Sequence, residues 1–273
     1  MTELGDIADL AERVAREAGA LVVGRRRGAV EVAATKTSPT DVVTEADHAS
    51  ETLIRQRLAQ ERPGDGFVGE EGDDVDGDSG LTWVADPIDG TVNFLYDIAH
   101  FAVSLAARDE AGTAVGVVHH PTSGETFTAV RGRGAFVDGR PLRPSGCTDP
   151  ARALTATGFS YRADVRAHQA AELGRLLPRI RDVRRMGSAA LDLCYLAAGR
   201  YDAYVERGLK PWDLAAGRLV CAEVGVRVEG LNGAEPGELL VVGAPEQLFT
   251  AFHTELLSAG FGDWPLPAWP PAG

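Results

Sequence analysis

The chain contains no stretch approaching the roughly 18 consecutive apolar residues that a membrane-spanning helix needs. It also lacks an amino-terminal basic segment followed by an apolar run, so no secretion signal is legible. Both absences predict a soluble, cytoplasmic protein. Cysteine is scarce: Cys147, Cys194 and Cys221 are odd in number and form no C-x-x-C pair. That excludes a disulfide framework and predicts buried or incidental thiols. Positive charge is in deficit, with 27 Lys and Arg against 40 Asp and Glu and a formal charge of −13. Such a balance repels nucleic acid and anionic membranes, and neither is expected as a partner. The longest basic run, Arg25-Arg26-Arg27, closes a helical pattern and reads as a solvated helix end. His48, His100, His119 and His120 offer no spacing that matches a zinc motif and read as structural or solvated. No internal repeat is evident.

What is present is a chain of 273 residues, 44% hydrophobic and 25% charged, long enough for one large core or two packed subdomains. Apolar residues recur at helical spacing over Asp6–Arg26 and again over Ala46–Leu58. After Pro63-Gly64 come short β-prone runs: Phe67-Val68, Leu81–Ala85, Phe101–Arg108, Ala114–His119, Thr126–Val130 and Ala135–Val137. This half predicts an α+β unit with an antiparallel sheet.

Beyond Pro144 the pattern alternates. Strands are expected at Ala153–Thr157, Tyr201–Val205 and Leu239–Val242. Helices are expected at Ala163–Leu177, Ser188–Ala198, Trp212–Val224 and Glu246–Ser258, giving an α/β layer. The expected division is residues 1–145 and 146–273. The tail Trp264–Gly273 is Pro-rich and continues neither helix nor central strand.

Four acidic segments stand out. Trp83–Thr91 starts as a buried strand and ends in Asp86-Pro87-Ile88-Asp89-Gly90-Thr91. Two carboxylates leaving a strand end suit a hard cation, and Gly90 with the free amides of a following helix suits a phosphate. The same Asp-Pro-x-Asp-Gly string is a common surface turn. Gly69-Glu70-Glu71-Gly72 follows another short strand and reads equally as a solvated loop. Thr44 and Asp47 match a helix capping box, which by itself accounts for both. Lys210-Pro211-Trp212-Asp213 opens a helix, with Pro in the first turn and a carboxylate where the dipole favours one.

Together these segments resemble the inositol monophosphatase family, within a superfamily of lithium-sensitive, magnesium-dependent phosphatases. The resemblance runs from Lys36 to about Gly225. It lies in Lys36, Asp41-Val42-Val43-Thr44-x-x-Asp47, Gly69-Glu70-Glu71, Asp86-Pro87-Ile88-Asp89-Gly90-Thr91-x-Asn93-Phe94, Gly187-Ser188-Ala189-Ala190 and Trp212-Asp213-x-Ala215-Ala216-Gly217. It implies a layered αβαβα sandwich like that of inositol monophosphatase and fructose-1,6-bisphosphatase, a homodimer, and a site for two or three Mg²⁺ ions.

The resemblance further implies metal ligation by Glu70, Asp86, Asp89, Asp213 and the main-chain carbonyl of Ile88. It places Thr91 and Asp47 beside the attacking water, held with Glu70. It implies substrate contacts from Asp89, Gly90, Thr91, Gly187, Ser188, Ala189, Glu206 and Asp213. Glu71 is left between proton handling and plain solvation. The implied substrate is a small phosphorylated alcohol, first myo-inositol monophosphate. Histidinol phosphate, fructose 1,6-bisphosphate and adenosine 3′,5′-bisphosphate are the alternatives on the same site, and a partner-binding scaffold is the alternative of another class.

Overall fold

The amino-terminal helical pattern becomes α1 (Glu3–Arg26), whose Ile7, Leu10, Ala11, Val14, Ala15, Ala18 and Val22 form one buried stripe. The computed structural model describes residues 3–26, 32–35 and 42–263; Arg27, Lys36, Asp41 and the tail from Trp264 lie outside them. A small hairpin pairs β1 (Val32–Thr35) with β2 (Val42–Thr44) and leads into α2 (Glu45–Glu61).

The first large sheet has seven strands in sequence order: β3 (Gly66–Gly69), β4 (Thr82–Asp89), β5 (Ala102–Asp109), β6 (Gly112–His119), β7 (Thr126–Val130), β8 (Ala135–Val137) and β9 (Arg140–Pro141). A short helix, α3 (Thr91–Leu95), follows β4. The second sheet has five strands in the order β11 (Asp182–Arg184), β10 (Leu154–Thr157), β12 (Ala203–Glu206), β14 (Val241–Pro245) and β13 (Val226–Glu229). Between and after its strands come α4 (Ala163–Leu176), α5 (Ala189–Ala197), α6 (Pro211–Ala222) and α7 (Glu246–Ser258).

The period-2 alternation of the strands sorts their side chains into layers. Trp83, Ala85, Val103, Leu105 and Ala107 face the stripe of α1 and the buried side of α2. Val84, Ala102 and Ala106 face the opposite way, onto α5 and α6, and Tyr204, Val226 and Val241 of the second sheet close over the same helices. On the outer face of that sheet, Ala203, Val205, Val242 and Ala244 pack against α7 through Leu248, Phe249, Phe252 and Leu256, with Leu176 from α4. The order is helix, sheet, helix, sheet, helix. Gly116 lets α6 approach the first sheet closely, since a Cβ there would lie 2.8 Å from the Ala216 carbonyl oxygen.

Several expectations need correction. The first sheet is not wholly antiparallel, because β3 runs parallel to β4. The second is mixed rather than α/β throughout: β10 pairs in parallel with β11 and β12, whereas β14 is antiparallel to β12 and β13. Arg26 is not a solvated helix end; its guanidinium pairs with Asp97 at 2.8 Å and lies 5.1 Å from the Phe101 ring centroid. Of the histidines, His100, His119 and His120 are buried, and all three cysteines are free. No helix among the described residues is long and apolar enough to cross a membrane.

Candidate metal centre

The segment expected to leave β4 as a turn stays in the sheet. β4 continues to Asp89, and both Asp86 and Asp89 are buried, at 2% and 7% exposure. In a regular strand, residues three apart point to opposite faces. Here Asp86 pairs with Ser104 while Asp89 pairs with Ala102, so β4 spends three steps against two on β5. This bulge inserts one residue and brings the two carboxylates to the same side. Asp213, in the first turn of α6, completes the group: a carboxylate oxygen from each of Asp86, Asp89 and Asp213 lies within 4.8 Å of the others. α6 is seated there by the Ser104 hydroxyl, which donates to the Trp212 carbonyl at 3.3 Å, and Asp213 accepts the Lys210 N–H at 2.6 Å.

Each carboxylate is oriented by backbone or hydroxyl donors. Asp86 Oδ1 accepts the Ile88 N–H at 3.0 Å. Asp89 accepts the Ser188 hydroxyl at 2.6 Å and the amides of Ala189 and Ala190 at 3.2 and 2.7 Å, so it caps α5 while facing the other acids. Gly90, with φ of 101°, turns the chain sharply into α3, and a Cβ there would lie 3.0 Å from the Gly187 carbonyl. Glycine is thus required on both counts. Asn93 straps the same two loops, its amide donating to the His100 and Met186 carbonyls, each at 2.7 Å.

Burial and mutual repulsion govern the electrostatics of these acids. Burial, opposed by its hydrogen bonds and aided by Glu70, raises Asp89 to about 6. Burial, then repulsion from Asp89 and Glu70, pushes Asp213 well above the usual carboxylate range. Asp47 is also raised by burial, with Thr44 donors pulling the other way. Glu70 adds to the repulsion felt by Asp47, Asp89 and Asp213, although it is not one of the three acids gathered within 4.8 Å of one another. Crowded oxygen donors of this kind remain ionised together only when a cation offsets their repulsion, and hard divalent ions prefer such ligands.

The capping box at Thr44 and Asp47 forms as expected: the Thr44 N–H and hydroxyl donate to Asp47 Oδ2 at 2.8 and 2.5 Å. The other oxygen of Asp47 faces Thr91, whose hydroxyl lies 3.1 Å from it and 3.0 Å from the Ile88 carbonyl. Glu206 ends β12, accepts the Tyr204 hydroxyl at 2.7 Å, and is raised to about 7 by burial. Gly187 and Ser188 sit at the start of α5 beside Asp89. Sequence reasoning assigned no role to Ser50, which donates to the Pro87 carbonyl at 3.1 Å, or to Tyr204. Both act through contacts between distant segments, which no local pattern announces.

The profile of the inositol monophosphatase family matches residues 3–258. The chain is similar to an inositol-1-monophosphatase of Mycobacterium leprae (strain TN), 46% identical over 261 residues covering 86% of this chain and 88% of that protein. It is also similar to a protein named Nus factor SuhB from Escherichia coli (strain K12), 41% identical over 227 residues covering 82% of this chain and 85% of that one. The solved structure of extragenic suppressor protein suhB from Bartonella henselae superposes with a TM-score of 0.87 at 33% identity, covering 92% of this chain and 98% of that chain.

Proposed function

Because the chain belongs to the inositol monophosphatase family, we propose that it hydrolyses small phosphate monoesters with Mg²⁺, first among them myo-inositol monophosphate. The observation that carries this reading is the bulge that turns Asp86 and Asp89 toward Asp213. Glu70, Asp86, Asp89, Asp213 and the Ile88 carbonyl would hold the cations, two or three in number. When bound, such ions neutralise phosphoryl oxygens and acidify a water. The chain's own part is to orient and to move protons. Thr91 and Asp47 would take the proton of the attacking water, and the amides of Gly90 and Thr91 at the start of α3 would bind phosphate oxygens. Gly187, Ser188, Ala189 and Glu206 would receive the alcohol. Ser188 can serve two partners, because its hydroxyl donates once, to Asp89, and keeps lone pairs that accept. A carboxylate such as Glu206 suits a pair of vicinal hydroxyls.

The test is a side-by-side kinetic comparison with Mg²⁺ of inositol 1-phosphate, histidinol phosphate, fructose 1,6-bisphosphate and adenosine 3′,5′-bisphosphate. Inositol 1-phosphate should give the highest kcat/KM; hydrolysis no faster than that of unrelated esters would refute the substrate. Inhibition by Li⁺ at millimolar levels, a homodimer by light scattering and a cytoplasmic location belong to the same reading and rest on the family resemblance. The division into residues 1–145 and 146–273 is likewise proposed, the first part supplying Glu70, Asp86 and Asp89 and the second Asp213 and Glu206.

A second reading has its own observation. A relative 41% identical is named a Nus factor, which favours a partner-binding role carried beside or instead of catalysis. Protein that hydrolyses none of these esters yet retains a specific macromolecular partner would decide for it.

A further inference from the structure

The Gly69-Glu70-Glu71-Gly72 loop is wrapped around a buried carboxylate that belongs to neither the cation group nor the capping box. Glu51, 3% exposed, lies one helical turn beyond Asp47 on α2. Its Oε2 accepts the Glu71 N–H at 2.8 Å, and its Oε1 accepts the Arg55 Nε–H at 2.9 Å, while Arg55 Nη2 lies in ion-pair range at 2.8 Å without a hydrogen bond of its own. The Arg55 guanidinium in turn lies 4.1 Å from the centroid of Phe67 on β3. Both glycines of the motif are explained by this carboxylate: a Cβ on Gly69 would lie 2.5 Å from Glu51 Oε2, and one on Gly72 would lie 2.9 Å from Oε1.

An ordinary helix pair four residues apart accounts for little of this. Such a pair is exposed, contributes a few tenths of a kcal/mol and needs no glycine opposite it. A buried carboxylate with one oxygen on a loop amide and the other on a stacked guanidinium is instead a fixed post, since charge-assisted hydrogen bonds are the stronger and more directional kind. Through Asp47, Ser50 and Glu51, α2 touches three segments of the site: α3 at Thr91, the end of β4 at Pro87, and the Glu70 loop at Glu71.

We propose that Glu51, held by Arg55, is a positioning residue that sets the Gly69–Gly72 loop and thereby places the Glu70 carboxylate toward the cation. The proposal rests on the reading of Glu70 as a metal ligand. Groups that orient a ligand without touching the ion typically change metal affinity or activity by about 10–100-fold when altered.

The test compares the wild-type chain with Glu51→Gln, and with Glu70→Gln as reference. Mg²⁺ binding to the metal-free protein is measured by titration calorimetry, and hydrolysis of inositol 1-phosphate as a function of Mg²⁺. Glu51→Gln should weaken Mg²⁺ binding about tenfold or more, while KM for the ester at saturating Mg²⁺ stays within about twofold. A role confined to folding would lower Tm and leave Mg²⁺ affinity intact. Should Glu51→Gln fail to fold, Gly72→Ala perturbs the same contact from the loop and should show the same Mg²⁺ defect. If Glu70→Gln loses Mg²⁺ affinity while Glu51→Gln or Gly72→Ala binds as the wild type does, the proposal is overturned. Undiminished affinity in Glu70→Gln would overturn the reading of Glu70 itself, and the proposal with it.

Discussion

The Thr91 hydroxyl lies 3.1 Å from Asp47 Oδ1, and its single proton has a second acceptor, the Ile88 carbonyl, at 3.0 Å. The opposite oxygen of Asp47 is saturated by the N–H and hydroxyl of Thr44. Asp47 therefore cannot rotate away, and its free oxygen faces the hydroxyl. With its proton on Asp47, the Thr91 hydroxyl keeps lone pairs that would accept from a water. The carboxylate that caps α2 would then also serve the proposed proton relay.

Thr91→Val keeps the shape and removes the relay. Turnover should fall by about 10²–10⁴, the range for a lost general-base contribution, with KM little changed. The loss of one hydrogen bond should cost only about 1 kcal/mol of stability. Steady-state kinetics at saturating Mg²⁺ give the answer; turnover within about twofold of wild type would remove Thr91 from the proposed chemistry.

Asp213→Asn tests the cation receptor through stability. The Asp213 carboxyl is held well above its ordinary range by burial and by the charges of Asp89 and Glu70. Neutralising it relieves that repulsion. Asparagine retains an oxygen for the Lys210 N–H. In EDTA the variant should melt higher than the wild type, by about 2–4 °C for each kcal/mol gained. With Mg²⁺ the wild type should rise and the variant should respond weakly. An equal Mg²⁺ response in both proteins would argue against a cation at this acid.

Much of this fold was legible because helical spacing is local: α1, α2 and α7 follow from the recurrence of apolar residues alone. What failed to show depends on pairing. β11 (Asp182–Arg184) and β13 (Val226–Glu229) carry charged residues in short strands, and only their neighbours in the sheet make them strands. α3, five residues long, is too short for a period to appear and was legible only from the Gly90-Thr91 turn that opens it. The parallel pairing of β3 with β4 and the bulge between Asp86 and Asp89 are nonlocal in the same sense. The site was legible as motifs, yet its posts were not. Glu51 meets a backbone amide 20 positions away, and Arg26 meets Asp97 across the fold; neither leaves a spacing in the sequence.

Glu206 should impose a pH dependence on the metal-free protein. Its ordinary value of 4.5 is raised to about 7 by burial. A raised folded-state value means that the folded protein holds this proton more tightly than the unfolded chain does. The stabilising contribution is complete below about pH 4.5 and is lost as the pH rises through about 7. Glu206→Gln removes that slope. The variant's stability relative to wild type should therefore grow between pH 4.5 and 7 by roughly 1–3 kcal/mol, as read from denaturant unfolding in EDTA. Parallel pH profiles for the two proteins would contradict the assignment.

Gly158→Ala asks whether Glu206 handles the alcohol. A Cβ at Gly158 would lie 1.9 Å from Glu206 Oε1 and 2.2 Å from its Cδ, so the carboxyl must give way. It is the movable end of a side chain, but it is tethered by the Tyr204 hydroxyl, itself on a fully buried ring. The substitution should therefore displace the carboxylate while the fold persists. For inositol 1-phosphate, kcat/KM should drop about tenfold, the scale of one misplaced polar contact. p-Nitrophenyl phosphate has no neighbouring hydroxyls to lose, so its hydrolysis should hardly change. Glu206→Asp, shorter by one methylene, should restore room in the Gly158→Ala background without restoring reach. The double variant should then keep the inositol defect and recover any lost thermal stability. Equal losses on both esters would instead make Gly158 a packing residue with no part in choosing the alcohol.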